Sequence, residues 1–303
     1  MKILVTGKNG QLGWELLRKF NENQKSEKKI AITIEALFLD SQELDIRESD
    51  KVDSIFSAFQ PDIVINAAAY TAVDKAESDT ELAYAVNEAG VENLAQGCKV
   101  FGAKLIHVST DFVFAADKNT PYKPEDQTAP LNVYGASKLA GELSARDILG
   151  NDICIVRTSW VYSVHGNNFV KTMIRLMSEK EKLGVVADQI GTPTSAYLLA
   201  EALWKLIIVI ASKQKVSPIY HWTDLGTTTW YDFAVAIQDL AVEQGILTKA
   251  IPIKPISTIE YPTPAKRPAY SVMDTSSFRN VLEMPGVHWR KALSSMIREL
   301  AKQ

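Results

Sequence analysis

The sequence contains few of the side chains that build disulfide frameworks or metal centres. Cys98 and Cys154 are its only cysteines, too few for a disulfide framework or a cysteine-based zinc site. Its four histidines are scattered, with no pair at the spacing of metal ligands on a helix. We therefore expect a site that contains no metal.

An excess of positive charge is also missing. Lys and Arg total 33 against 36 for Asp and Glu, which gives a formal net charge of −3. Nucleic-acid-binding domains usually carry a basic excess, so we expect no nucleic acid partner.

Long apolar runs are absent as well. The most apolar stretch, 196–211, is interrupted by Glu201 and Lys205, whereas a membrane span needs ~20 apolar residues. The apolar run before Gly7 is too short for a signal peptide. We therefore expect a cytoplasmic protein that does not bind a membrane, with 196–211 forming a buried amphipathic helix.

The remaining composition is that of a globular protein, 46% hydrophobic and 23% charged. Short apolar runs alternate with segments of helical periodicity, a pattern typical of a parallel, doubly wound α/β sheet of Rossmann type. The strand-like runs are 3–5, 36–39, 62–66, 105–108 and 153–156. The polar segment 23–29 predicts a loop after the first helix.

The length of 303 residues suggests about two domains at ~150 residues each. We expect a dinucleotide-binding domain over 1–160 and about 190–215. A smaller, mixed α/β substrate domain would take about 161–189 and 216–303. The prolines of 251–268 exclude a single helix there.

A glycine loop lies at the first strand–helix junction, where Gly7, Gly10 and Gly13 form a G-x-x-G-x-x-G pattern. Such glycines allow a tight turn, a close approach of backbone to a pyrophosphate, and close packing of helix on strand. The N-terminus of the following helix favours phosphate. The position of the loop predicts a dinucleotide site.

The choice between NADH and NADPH stays open at this stage. Asp40 ends the second strand, where an acid commonly binds the ribose 2′-hydroxyl and disfavours a 2′-phosphate. Lys8 in the glycine loop could instead receive that phosphate. Asp45 and Ile46 form a second candidate, with the carboxylate near an adenine and the isoleucine against its face.

Tyr134 and Lys138 form a Y-x-x-x-K pattern on one helix face. A lysine ammonium beside a tyrosine would lower its pKa from ~10 and make it a proton donor or acceptor. Thr110 ends a strand and could complete the donors around a carbonyl oxygen, because sites in open α/β sheets lie at the carboxyl ends of strands.

Together these motifs resemble the extended short-chain dehydrogenases/reductases, and within them the dTDP-4-dehydrorhamnose reductase family. The similarity covers nearly the whole chain. The stretches that carry it are 66–77, 130–135, 157–162, 166–169, 188–194 and 261–268.

The resemblance implies roles for individual residues. It makes Thr110, Tyr134 and Lys138 catalytic. It places the cofactor on Gly10, Gln11, Leu12, Asp45, Ile46, Ala69, Tyr70 and Thr71. The full set of expected cofactor residues also includes Gly7, Gly13, Asp40, Val108, Tyr134 and Lys138. It places the substrate on Thr110, Asp111, Trp160, Asn168 and Arg267.

Two positions depart from the family pattern. Phe112 stands where tyrosine is frequent, so one hydroxyl near the sugar is missing. Tyr197 stands where some members have a glutamate that helps to bind a metal between subunits, which argues against a metal-bridged dimer. We expect a monomer or a homodimer.

The function that the resemblance implies is NADH- or NADPH-dependent reduction of the C4 ketone of a dTDP-sugar, dTDP-4-dehydro-β-L-rhamnose. One alternative is another sugar-nucleotide epimerase or dehydratase of the same superfamily. A second is a non-catalytic regulatory subunit of the kind that binds methionine adenosyltransferase. Net consumption of NAD(P)H separates the reductase from both.

Overall fold

The computed structural model describes residues 1–25 and 33–303. The strands are β1 (Lys2–Thr6), β2 (Glu35–Leu39), β3 (Ile63–Asn66), β4 (Lys104–Thr110), β5 (Ile153–Thr158), β6 (Val161–Tyr162), β7 (Leu183–Val186), β8 (Ile190–Gly191), β9 (Thr194–Ser195), β10 (Ile219–His221), β11 (Thr228–Thr229) and β12 (Ile253–Ile256). The α-helices are α1 (Gln11–Lys25), α2 (Ser49–Phe59), α3 (Val73–Ala76), α4 (Thr80–Tyr84), α5 (Gly90–Phe101), α6 (Val133–Leu149), α7 (Phe169–Glu179), α8 (Ala196–Ala211), α9 (Trp230–Glu243), α10 (Ser276–Leu282) and α11 (Trp289–Leu300). A π-helical turn, Ala85–Ala89, joins α4 to α5.

Six strands form one parallel sheet in the order β2–β1–β3–β4–β5–β10. The strand order reverses between β1 and β3, and ligands of open α/β sheets bind at the carboxyl ends of strands beside such a point. The predicted doubly wound Rossmann-type sheet is confirmed.

Helices cover both faces of this sheet, which explains why its strands are continuously apolar. The neighbours Leu4 and Val5 point to opposite faces, as the pleat requires, and each is fully buried. Leu16 of α1 and Leu203 of α8 pack on the face of Val5. Helices α2, α5 and α6 pack on the other face. Within the described ranges, no helix has both the length and the apolar character that a bilayer crossing requires.

A second hydrophobic core lies beside the sheet. It is built by α7, α9 and α11 together with the paired strands β7 and β12, around Phe233 and Leu293. Its elements come mostly from 161–189 and 216–303, the segments predicted to form the substrate domain. Within 216–303, however, β10 extends the large sheet and Phe278 of α10 packs in the core of that sheet.

The predicted loop at 23–29 is wrong in its first part. Helix α1 continues to Lys25, because polar residues on the exposed side of a helix do not end it. Residues 26–29 of that prediction lie outside the described residues.

Candidate active site

A cleft of about 530 Å³ opens at the carboxyl ends of the sheet strands, between the sheet and the second core. This volume suits a nucleotide-sized ligand. The predicted site residues that line it are Gly10, Gln11, Leu12, Ala69, Thr71, Val108, Thr110, Asp111, Tyr134, Lys138, Trp160, Asn168 and Arg267. The other predicted residues, Gly7, Gly13, Asp40, Asp45, Ile46 and Tyr70, lie outside this lining.

The glycine loop has the close backbone approaches that its spacing predicts. Gly7 has a φ of 76°, and a Cβ there would lie 2.7 Å from backbone atoms of Ala67 and Ala68. A Cβ at Gly13 would lie 2.1 Å from the Gly7 oxygen. Since α1 begins at Gln11, its N-terminus lies at the cleft beside Gly10. This arrangement fits a dinucleotide pyrophosphate.

Asp40 is held rigidly beyond the glycine loop. Its carboxylate accepts hydrogen bonds from the backbone N–H groups of Glu43 (3.1 Å) and Gln42 (2.9 Å) and from the Asn9 amide (2.8 Å). These hydrogen bonds lower the pKa of Asp40, and the two from backbone N–H groups contribute most. Lys8 forms an ion pair with Glu43 at 2.8 Å. This end of the site therefore presents two carboxylates and one ammonium.

Asp45 and Ile46 differ in their surroundings: Asp45 pairs with a neighbouring charge, whereas Ile46 is buried. The Asp45 carboxylate pairs with the Arg47 guanidinium, with Oδ1 accepting from Nε at 2.9 Å. Ile46 is only 4% exposed and packs beside Gly90, where a Cβ would lie 2.6 Å from its Cγ1. Its side chain belongs to the core beneath α5, so little of it is left to cover a base. The adenine contact stays a prediction.

The three catalytic candidates come together near the start of α6. Asn132 caps this helix by accepting from the Gly135 N–H at 2.8 Å, and Tyr134 and Lys138 follow one turn apart. Thr110, at the end of β4, donates to Asp111 Oδ1 at 3.1 Å and lines the cleft together with Tyr134. The Phe112 ring stands edge-on to Tyr134, with centroids 5.6 Å apart. The three predicted catalytic side chains thus share one wall of the cleft.

Tyr134 differs electrostatically from the prediction. Burial raises the pKa of Tyr134 to about 12; the charge of Asp111 adds to this rise, and the nearby Thr110 hydroxyl opposes it. Desolvation is the largest cause of this shift, and its direction is opposite to the lowering that the sequence predicts. The phenol is protonated at neutral pH, which is the form that a proton donor requires.

Lys138 is almost fully buried behind the tyrosine. Its Nζ donates to the Val108 carbonyl at 2.8 Å and lies 3.3 Å from Nε2 of His107. Burial lowers the pKa of Lys138 to about 8, partly offset by the charge of Glu142.

Unpaired polar atoms mark the floor of the cleft. Asp111 Oδ2, Ser109 Oγ and Thr158 Oγ1 are buried and find no hydrogen-bond partner among the described residues. All three residues line the cleft. Burial raises the pKa of Asp111 to about 6, against the opposing hydrogen bonds. Since buried polar groups are normally paired, this floor suits a polar ligand.

Trp160 occupies the opposite wall with an aromatic partner. Its backbone is left-handed, with a φ of 47°, and its indole stacks on Trp230 with centroids 3.5 Å apart. A Cβ at Gly191 would lie 2.7 Å from Cε2 and Cζ2 of this indole. Trp230 escaped the sequence prediction, because an aromatic residue at a helix start gives no local signal of a site.

Asn168 and Arg267 bring the second core into the cleft. Asn168 caps α7, accepting from the Lys171 N–H at 3.1 Å, and donates to Gln11 Oε1 at 3.0 Å. Arg267 makes a bidentate ion pair with Asp74, at 2.9 and 2.7 Å.

The segment that contains Ala69, Tyr70 and Thr71 is held by a side chain that sequence reasoning missed. Asn87, in the π-helical turn, accepts from the Tyr70 N–H at 2.9 Å and donates to the Tyr70 carbonyl at 3.1 Å. It also donates to Ser137 Oγ at 3.0 Å, which fixes this segment to α6.

Tyr197, which departs from the family pattern, lies against two basic side chains. Its ring contacts the Lys19 ammonium at 3.6 Å and the Arg18 guanidinium at 4.8 Å from the ring centroid. Among the described residues, His, Cys, Asp and Glu side chains form no group of three or more that could hold a metal ion.

A Rossmann-type sheet with a glycine loop, and a Thr–Tyr–Lys group at its carboxyl end, defines an extended short-chain dehydrogenase/reductase. A family model described as "RmlD substrate binding domain" matches residues 1–302. The dTDP-4-dehydrorhamnose reductase of Escherichia coli K12 is 41% identical over 300 residues, covering 99% of this chain and 98% of that protein. The chain belongs to the dTDP-4-dehydrorhamnose reductase family, whose members are NAD(P)H-dependent oxidoreductases.

Solved structures agree with this assignment. A dTDP-4-dehydrorhamnose reductase from Clostridium acetobutylicum superimposes with a TM-score of 0.88 at 38% identity, covering 100% of both chains. A Bacillus anthracis dTDP-4-dehydrorhamnose reductase in complex with NADP gives 0.86 at 36% identity, covering 98% of this chain and 99% of that one.

Proposed function

We propose that the chain reduces the C4 ketone of dTDP-4-dehydro-β-L-rhamnose to dTDP-L-rhamnose, the last step of dTDP-rhamnose synthesis, with NADPH or NADH. The observation that carries this proposal is the convergence of Thr110, Tyr134 and Lys138 beside the glycine loop. It occurs in a chain that belongs to a family of reductases acting on this substrate.

The cofactor supplies a hydride for the carbonyl carbon when it is bound. The N-terminus of α1 would hold its pyrophosphate, and Lys138 would hold its nicotinamide ribose. Tyr134 keeps its proton at neutral pH because its pKa is raised to about 12. As the C4 oxygen becomes an alkoxide, the Tyr134 O–H bond breaks and that proton moves to the oxygen. Thr110, which lines the same wall of the cleft, would orient the same oxygen.

The substrate would extend from this wall toward the second core. Asp111 would accept hydrogen bonds from sugar hydroxyls, and Trp160 would supply an apolar contact for the ring. Arg267 would bind the diphosphate, for which a guanidinium is well suited. This requires Arg267 to exchange or share its pairing with Asp74. Asn168 would steady this side of the cleft through its bond to Gln11.

We also propose the two-domain division, with one change suggested by the packing. Residues 1–160, about 190–215, β10 and α10 form the dinucleotide-binding unit. The rest of 161–189 and 216–303 forms the substrate unit. The cytoplasmic location and the monomeric or homodimeric state are proposals to be tested by cell fractionation and light scattering.

The test is an assay of the purified protein with dTDP-4-dehydrorhamnose and each of NADPH and NADH, with the product identified by NMR. We expect one molecule of NADPH or NADH to be oxidised for each molecule of dTDP-L-rhamnose formed. Sugar conversion without net nicotinamide oxidation would instead indicate an epimerase or dehydratase. Cofactor binding with no conversion of the sugar would favour a regulatory protein.

A further inference from the structure

A chain of buried polar side chains runs from the glycine loop to the catalytic lysine. The Thr6 hydroxyl donates to Asn66 Oδ1 at 2.6 Å, and Asn66 Nδ2 lies 3.1 Å from His107 Nδ1. His107 Nε2 in turn lies 3.3 Å from Lys138 Nζ. Thr6, Asn66, His107 and Lys138 are each no more than 1% exposed. The mechanism above uses only the last of them.

The orientation of the Asn66 amide is fixed at its oxygen. Oδ1 accepts from the Ala68 backbone N–H at 3.1 Å as well as from Thr6. A flipped amide would set its NH₂ group against the N–H of Ala68, so Nδ2 must be the atom that faces His107. Asn66 therefore donates, and His107 must accept at Nδ1.

The tautomer of His107 follows from this constraint. Burial, with the charge of Lys138 adding to it, lowers the pKa of His107 well below its usual range, so the ring is neutral. A neutral imidazole that accepts at Nδ1 carries its hydrogen on Nε2. The Nε2–H therefore points at Nζ of Lys138.

This contact is satisfied by only one form of Lys138. An amine can donate to the Val108 carbonyl and accept the Nε2–H with its lone pair, whereas an ammonium would set an N–H against an N–H. We propose that Asn66 and His107 are positioning residues, which hold Nζ of Lys138 and favour its amine form. This inference rests on the proposed reductase function for its kinetic consequence.

Other nearby groups raise the pKa of Lys138 or leave it unchanged. Glu142, on the same helix, raises its pKa, but this carboxylate is bound by Arg157 of β5, with Oε2 accepting from Nη2 at 2.6 Å. Tyr134, one turn earlier, stays neutral over the working range of pH. Among the residues that the structure describes, His107 is the other titratable group in contact with Nζ.

The direct test is the titration of Lys138 by NMR, with ¹³C-lysine-labelled protein and assignment by Lys138→Met. In His107→Gln, the introduced amide can turn its oxygen toward Nζ and accept from an ammonium. We expect the pKa of Lys138 to rise by about one unit relative to wild type. His221→Gln replaces another fully buried histidine, on β10, and should leave the titration unchanged.

A second variant tests the same contact in case His107→Gln does not fold. Asn66→Asp would accept from Nδ1–H of His107 and so turn an Nε2 lone pair toward the ammonium. The same upward shift is expected. Identical titration of Lys138 in wild type and both folded variants would overturn the proposal. A wild-type Lys138 with an ordinary pKa of ~10.4 would also overturn it.

The kinetic readout is the pH dependence of kcat with dTDP-4-dehydrorhamnose. If the ammonium form is active, the alkaline limb of His107→Gln should move up by about one pH unit, giving roughly fivefold more of its maximal rate near pH 9. If His107 had a purely structural role, the substitution would lower kcat without shifting the alkaline limb of its pH profile. Should wild type fail to reduce this sugar, the proposed function fails, while the NMR titration still decides the role of His107.

Discussion

The indole rings of Trp160 and Trp230 stack with their centroids 3.5 Å apart and their planes 10° apart. Trp160 comes from the end of the Rossmann-type sheet, whereas Trp230 begins α9 in the second core. The stack therefore joins the end of the sheet to the second core on one wall of the cleft. It also supports a residue whose left-handed backbone is uncommon for tryptophan.

Trp230→Ala should weaken sugar binding more than catalysis. Loss of the stack removes about 1 kcal/mol of aromatic contact as well as apolar area, so we expect KM for the sugar nucleotide to rise about tenfold. The change in kcat should be less than threefold. Steady-state kinetics measures both. The control is Tyr231→Ala, the next residue of α9, which does not line the cleft. A lowered kcat with unchanged KM would contradict this role.

Arg267→Met should weaken binding of the diphosphate. The side chain lines the cleft, and its guanidinium is held in place by Asp74. Loss of a charge-assisted contact costs about 2 kcal/mol, so KM should rise roughly 30-fold. Lys266→Met removes the neighbouring exposed charge and should change KM less than twofold. Equal effects of the two substitutions would show that only the overall charge matters.

Asp111→Asn should stabilise the protein at neutral pH while weakening the sugar contact. The folded-state pKa of Asp111 is raised by burial from 3.8 to about 6. The folded state then binds more protons than the unfolded state between these values, so stability is lost as pH rises through them. At about pH 7 the variant should gain about 3 kcal/mol in the free energy of unfolding, a gain that disappears below about pH 4.

Denaturant unfolding at the two pH values measures this gain. Asp188→Asn is the matched control, because hydrogen bonds from Thr258 lower the pKa of Asp188, and its loss should destabilise at neutral pH. A destabilised Asp111→Asn at neutral pH would show that its carboxylate is better paired than the structure indicates.

Asp40→Asn should shift cofactor preference toward NADPH. The carboxylate is ionised and stands with Glu43 near the end of β2, where it would repel a 2′-phosphate. We expect the ratio of kcat/KM for NADPH to that for NADH to rise about tenfold. Asp50→Asn, on the exposed start of α2, controls for net charge. An unchanged ratio would place the ribose away from Asp40.

The parts of the site that the sequence predicts are those set by local geometry. The glycine loop needs only a strand, a turn and a helix, and Gly7 and Gly13 have no room for side chains for that reason. Tyr134 and Lys138 share a face because they lie one turn apart on α6. The parallel sheet is likewise predictable, since its strands are covered on both faces.

Other features depend on residues that are far apart in the chain. Trp230 reaches Trp160 only through the packing of the second core. His107 reaches Lys138 because β4 and α6 pack together, although a buried histidine in a strand gives no hint of this. The side chain of Ile46 is almost fully buried, and the pKa of Tyr134 is raised instead of lowered. Both outcomes follow from the depth of burial, which motif spacing does not report.

The most direct test is the rate of keto-sugar-dependent NADPH oxidation by wild type and by Tyr134→Phe. Fluorescence titration would show that both bind NADPH equally. The account predicts that wild type oxidises NADPH when dTDP-4-dehydrorhamnose is added and that Tyr134→Phe loses about 10²–10⁴-fold in kcat. Turnover by Tyr134→Phe at close to the wild-type rate would contradict it.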